Sequence, residues 1–155
     1  LGAEINPKFV KYNLIDHGFL LNLLGIGDTT NSIVKELLVA NTVDLVDKGS
    51  LTEMVAGLEL LKYMSSNERH DLYYWQNLTR GTVSEVDYVL SSGIDIVPME
   101  VKSGLKGSMA SLYVFMDKEH IKYGIRCSLE NFGEFVNPKG KRIIVNPLYA
   151  ISNLF

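Results

Sequence analysis

The sequence predicts a mixed α/β domain, a sheet with helices packed on it. Three observations carry this. Leu51, Met54, Val55, Leu58, Leu61 and Tyr63 recur at helical spacing over residues 50–64. From Leu72 the apolar period changes to two and stays there through Lys102. Helical spacing then returns with Met109, Leu112, Tyr113 and Met116, ahead of a strand-like run from Ile121 to Cys127. The order helix, three strands, helix, strand is that of an α/β or α+β sandwich around a mixed sheet. At 155 residues and 46% hydrophobic, the chain has room for one such domain with one sizeable core.

The elements follow in chain order. Val10 to Ile15 reads as a short strand, and Phe19 to Leu24 as a helix closed by Gly25 and Gly27. Asp28 to Ser32 offers N-cap residues for a second helix carrying Ile33, Val34, Leu37, Leu38 and Val39. Val43 to Val46 is apolar but short. Residues 1–48 are therefore expected to be a mainly helical extension that packs on the core and supplies no catalytic residue, with the core itself spanning 49–155. In that core, Ser50 and Glu53 have capping-box spacing at the head of the first helix, and Ser65-Ser66-Asn67 ends it. Leu72 to Trp75, Val83 to Leu90 and Ile94 to Lys102 read as strands, the last two joined through Ser91-Ser92-Gly93 as an antiparallel hairpin. Gly104 and Gly107 interrupt the pattern before a helix from Ser108 to Met116. Asn137-Pro138-Lys139-Gly140 is a turn ahead of a strand from Arg142 to Val145.

Composition excludes several classes of function. Cys127 is the single cysteine, so there is no disulfide scaffold, and His17, His70 and His120 are too scattered for a Cys/His zinc site. The most apolar stretch, Phe19 to Ile26, is far short of the roughly 20 residues that span a bilayer. The Leu-Gly-Ala-Glu start lacks both an initiator Met and a basic leader region, which reads as a cytoplasmic protein that is either a fragment of something larger or begins on a tag remnant. Net charge is −3, too little for a strongly basic nucleic-acid clamp. It is unevenly spread: residues 1–99 hold 7 basic and 13 acidic residues, residues 100–155 hold 8 and 5. The basic C-terminal third is either ordinary surface scatter or one face that tolerates a polyanion.

The hairpin carries the chemistry. Strand alternation groups Val86, Tyr88 and Leu90 on one face of its first strand, with Glu85 and Asp87 on the other. In its second strand Val97, Met99 and Val101 oppose Pro98, Glu100 and Lys102. One face is thus apolar and takes a helix, while the other gathers Glu85, Asp87, Glu100 and Lys102, with Asp87 opposite Glu100 or one pair away. A half-solvated hairpin shows the same pattern without any activity. The chemical alternative is specific: neighbouring carboxylates repel unless a cation lies between them, and an oxygen-only set suits Mg²⁺ or Mn²⁺. A lysine two residues after the glutamate shares its face and can orient a water or steady phosphoryl charge.

Asp87 followed by Glu100-Val101-Lys102 resembles the D…E-x-K signature of the PD-(D/E)XK nucleases, the restriction-endonuclease-like fold. Glu53, on the preceding helix, falls where many of those enzymes carry an acid. A longer resemblance runs along most of the chain. Pro7-Lys8-Phe9 with Leu14 to Gly18, Gly49 to Val55 with Glu59-Leu60, and Leu72 to Trp75 with Glu85 to Val89 are similar to segments of one family. So are Pro98 to Gly104 and Asn146 to Ile151. That family is the uncharacterised domain found C-terminal to an AAA-type ATPase module in many bacterial and archaeal proteins. The resemblance implies a restriction-endonuclease-like core with an N-terminal helical extension. It implies Asp87 and Glu100 as metal ligands with the Val101 carbonyl as a candidate third oxygen, Lys102 as catalytic lysine, and Glu53 as either an auxiliary ligand or the group that orients a metal-bound water. Glu85 is either second to these or an ordinary solvent-facing residue, and Tyr74 and Trp75 are read as core aromatics. Two departures are plain: the helix after Lys102 has Tyr113 but no Gln, and no Gly-x-x-x-x-Gly-Lys-Ser/Thr loop is present, so no ATP site is expected here.

The expected function is therefore Mg²⁺- or Mn²⁺-dependent phosphodiester hydrolysis, of DNA rather than RNA, in the C-terminal domain of an AAA-type ATPase. The alternative is an inactive nuclease-like module that binds nucleic acid or regulates the ATPase. The expected partners are nucleic acid and the ATPase module of the same full-length chain, with no membrane.

Overall fold

The structure, a computed structural model, describes residues 1–2, 5–23, 48–65, 67, 71–79 and 82–154. Its centre is a six-stranded mixed sheet in the order β1-β2-β3-β4-β6-β5. β1 (Tyr73–Thr79), β2 (Thr82–Ser92) and β3 (Asp95–Val101) form an antiparallel meander. β4 (Tyr123–Ser128) runs parallel to β3 and to β6 (Arg142–Pro147), and β5 (Gly133–Val136) closes the far edge antiparallel to β6. The helices are α1 (His17–Leu23), α2 (Lys48–Tyr63) and α3 (Ala110–Lys118), followed by a 3-10 helix, Leu148–Leu154. The mixed α/β class read from the sequence is the class observed, with β5 as the strand it lacked. All four residues of β5 are exposed, so they carry no burial pattern to read.

Helices cover both faces of the sheet. On one face Ala56 and Leu60 of α2, with Ile151 of the 3-10 helix, pack on Tyr88, Leu90, Val97, Met99, Val101, Ile125 and Cys127. On the other, Leu112, Phe115 and Met116 of α3 pack on Val86, Val89, Ile121 and Ile143. α3 is the crossover that two parallel neighbours, β3 and β4, require. The hairpin therefore does not have one apolar and one wet face as its alternation suggests; β3 and β4 are buried on both sides over most of their length.

Val10 to Ile15 is irregular chain rather than a strand, with Tyr12 88% and Ile15 91% exposed. Its backbone pairs with no strand among the described residues; Lys11 and Asn13 instead turn toward α2 and β2. α2 starts two residues before Ser50, so the Ser50–Glu53 capping box does not form: Thr52 Oγ1 donates to the Lys48 carbonyl, and Glu53 pairs with Lys11. The buried face of α2 is Met54, Ala56, Gly57 and Leu60, while Leu61 and Tyr63 are exposed. A stripe of large apolar residues misses this, because the helix passes so close beneath Tyr88 that small residues are needed. At Gly57 an added Cβ would meet the Tyr88 hydroxyl and the Asn13 side chain. The β2–β3 turn is Gly93-Ile94, between paired Ser92 and Asp95, with Gly93 at φ 59°. A positive φ at the first central position alone marks a II′-type turn. The expected helix through Ile33 to Val39 and the stretch Val43 to Val46 lie outside the described residues. Among the described residues no helix is long and apolar enough to cross a membrane.

Candidate metal centre

The site begins with one extra residue in β2. Tyr73 pairs with Val89 and Trp75 with Val86, so β1 advances two residues where β2 advances three. This bulge falls at Asp87-Tyr88, and bulges re-aim the side chains they contain. Val86 and Val89 consequently both pack toward α3, whereas Tyr88 and Leu90 pack toward α2. The simple alternation that put Val86, Tyr88 and Leu90 on one face fails at this residue. The Tyr88 hydroxyl reaches α2 and donates to the Glu53 carbonyl at 2.7 Å. The Asp87 carboxylate stays in the plane of the sheet, where its Oδ2 accepts the Val101 N–H at 2.7 Å. A side chain thereby takes the place of a strand in the ladder, and the β2–β3 pairing ends at Tyr88 and Met99.

Two groups meet at that point. In the first, carboxylate oxygens of Glu53, Glu85 and Asp87 lie within 4.8 Å of one another. Lys11, from the irregular N-terminal segment, bridges Glu53 at 2.6 Å and also Glu85, with its ammonium over the Tyr74 ring. Gln76 on β1 adds a hydrogen bond to Glu85. The second group is Glu100 and Lys102, joined Nζ to Oε1 at 2.6 Å. Glu100 is 6% exposed, and its Oε2 is buried without a hydrogen-bond partner. Among the described residues, no set of three acidic groups that includes Glu100 closes to the spacing of the first group. Asp87 connects the two, since both Glu100 and Glu53 raise its pKa through charge repulsion.

The loop after β3 holds Lys102 in place. Its aliphatic stem lies on Gly107, where an added Cβ would come within 2.7 Å of Lys102 Cδ. Gly107 is fixed in turn by Arg126, the β4 neighbour of Glu100, whose guanidinium donates to the Leu105 and Gly107 carbonyls and pairs with Glu130.

The electrostatics follow from burial and crowding. Desolvation is the largest influence on Asp87, and the Glu100 and Glu53 charges add to it. The Val101 N–H and Lys11 work against it, and the carboxyl titrates at about 7. Burial likewise raises Glu100, partly offset by its hydrogen bond and ion pair to Lys102. Burial opposes the charge on Lys11, but Glu53 and Glu85 together outweigh it and raise its pKa. Fully ionised, the four carboxylates carry two more charges than Lys11 and Lys102 offset.

The structure thus sets Glu53, Glu85 and Asp87 in one cluster beside the Glu100–Lys102 pair. The Val101 backbone is there through its N–H, on Asp87. Trp75 is a core aromatic against Phe115, whereas Tyr74 lies beneath Lys11. From the N-terminal extension, expected to pack on the core without a catalytic residue, Lys11 reaches the acidic group. The available signal was the spacing of Lys11 and Asn13, which an extended segment aims to one side. The hold of Arg126 on the Leu105–Gly107 loop had no signal, because the groups it binds there are backbone carbonyls.

Residues 48–151 match the family described as Domain of unknown function (DUF4143). The chain belongs to this family. Its DUF4143 domain opens on the first residue of α2 and closes inside the 3-10 helix, so it contains Glu53, Glu85, Asp87, Glu100 and Lys102. Lys11 lies ahead of it. Neither a curated protein nor a solved structure matches the chain.

Proposed function

We propose that this DUF4143 domain is a metal-dependent nuclease of the PD-(D/E)XK type, acting on DNA as the cytoplasmic C-terminal domain of an AAA-type ATPase. The observation that carries it is the meeting of Glu53, Glu85 and Asp87 with the Glu100–Lys102 pair where β2 and β3 part. The helix, three strands, helix, strand order of the core supports the same reading. So does the family match, since this domain is commonly found with AAA ATPases.

The donors fit a hard cation. They are oxygens throughout, they carry excess negative charge, and Glu100 Oε2 is a buried acceptor with nothing to accept. Glu53, Glu85, Asp87 and Glu100 would hold Mg²⁺ or Mn²⁺, which supplies Lewis-acid polarisation of a phosphoryl oxygen and a more acidic water. The protein's own groups do the rest. Glu100 holds the Lys102 ammonium beside the carboxylates, where it steadies charge on a phosphodiester and orients the attacking water. Asp87, its carboxyl pushed up to about 7 by burial, would have to release its proton to join the ligand set.

Cleavage of DNA by the purified protein with Mg²⁺ or Mn²⁺, compared with Lys102→Ala, tests the reading. Loss of a positioned catalytic group lowers rates by about 100-fold or more, and that is the expected result. Equal rates in the two proteins overturn it. Salt-dependent DNA binding without cleavage in any metal assigns the domain instead to non-catalytic nucleic-acid binding.

A further inference from the structure

The acidic group already has a cation in it. Lys11 reaches Glu53 and Glu85 from a segment held otherwise mainly by Asn13 at Tyr88: Phe9, Val10, Tyr12 and Ile15 are all exposed, and no strand pairs with them among the described residues. Its ammonium is sited by two carboxylates, one on α2 and one on β2, and by the Tyr74 ring at 4.9 Å. This is the chemistry of a monovalent counter-ion, and it leaves the buried free oxygen of Glu100 without a partner. One ammonium offsets one charge, whereas a divalent cation offsets two and accepts several oxygens at once.

We propose that Lys11 is an internal stand-in for the metal, an autoinhibitory contact that a divalent cation must displace before the site is complete. The proposal rests on the metal-binding reading above and adds its regulation. Lys11 lies outside the DUF4143 domain while every carboxylate lies inside it, so the contact ties the occupancy of the site to the position of the preceding segment. Anything that draws residues 9–13 away opens the site to metal, and metal in turn releases the segment. The two effects are reciprocal by linkage.

Mn²⁺ titration by calorimetry on the wild-type protein and on Lys11→Met tests this without reference to activity. Two partly exposed ion pairs have to be broken in the wild type and none in the variant. By the usual worth of such pairs, Lys11→Met should bind Mn²⁺ about 3- to 30-fold tighter. Equal or weaker binding by a folded variant overturns the proposal and leaves the metal reading standing; no Mn²⁺ binding by either protein overturns both. A second measurement needs no variant. Acylation of wild-type lysines, followed residue by residue by mass spectrometry, should speed up several-fold at Lys11 when Mn²⁺ is added. Lys118 and Lys122, 60% and 75% exposed and far from the carboxylates in the sequence, serve as the unchanged reference. A Lys11 that stays as protected with Mn²⁺ bound as without it also overturns the proposal.

Discussion

Asp87 sets the chemistry of the site at the scale of the single residue. Its folded-state pKa of about 7 stands against an ordinary 3.8, so between those values the folded chain holds a proton that the unfolded chain has released. Stability linked to this group is therefore full below about pH 4 and lost as pH rises toward 7. Asp87→Asn removes the titration. Denaturant unfolding of the two proteins should show the variant gaining on the wild type across that window, by on the order of a few kcal/mol. A constant difference between pH 4 and 7 would mean that Asp87 is not held neutral. The spacing to Glu100 and Lys102 made Asp87 legible as a candidate site residue. It did not show the bulge, because a bulge is a mismatch between two strands, and neither strand's alternation records it alone. Lys11 left only the weak signal of its spacing with Asn13: its partners are 42 and 74 residues away, and no periodicity links an irregular segment to a helix and a strand.

At the scale of the element, α2 is the case to examine. A large-residue stripe located the helix correctly and its buried face wrongly. The face is chosen by Tyr88, whose hydroxyl bonds to the Glu53 carbonyl and leaves no space for a side chain at position 57. Gly57→Ala is a direct trial. In an exposed helix this change stabilises by about 1 kcal/mol. Here the added methyl must displace Tyr88 or Asn13, and overpacking of this kind costs about 1–3 kcal/mol. A net loss of about 1 kcal/mol or more in urea unfolding is expected; a gain in stability would show that Tyr88 yields freely. The same alteration should loosen Glu53, since the Tyr88 bond is what anchors that turn of the helix to the bulge. The hairpin, the crossover helix α3 and the 137–140 turn were all legible, because each rests on local chemistry. In the last, Asn137 Oδ1 accepts the Lys139 and Lys141 N–H groups, and Gly140 takes a positive φ.

For the whole molecule, the uneven charge acquires a structural meaning. Seven of the eight basic residues after Met99 pair with acids of the chain, among them Arg126 with Glu130, Arg142 with Glu134, and Lys139 and Lys141 with Asp117. The C-terminal excess is spent largely on holding strands and loops, and the concentrated negative charge lies at the site.

Cys127 sits at the centre of this arrangement, on β4, with no exposed surface and a thiol pushed up to about 12 by burial. It is also the only cysteine in the chain. An alkylating reagent needs the thiolate and a path to it, and the folded state denies both. The molecule therefore carries its own clock: each modification at Cys127 records one opening of the central sheet. With reagent slow relative to reclosing, the labelling rate follows the equilibrium fraction open, so a change of 1.4 kcal/mol alters it about tenfold. Gly57→Ala should run this clock faster by the factor its urea unfolding gives. Labelling of Cys127 at the rate of a free thiol in the untreated protein would mean that the sheet opens far more readily than its packing implies.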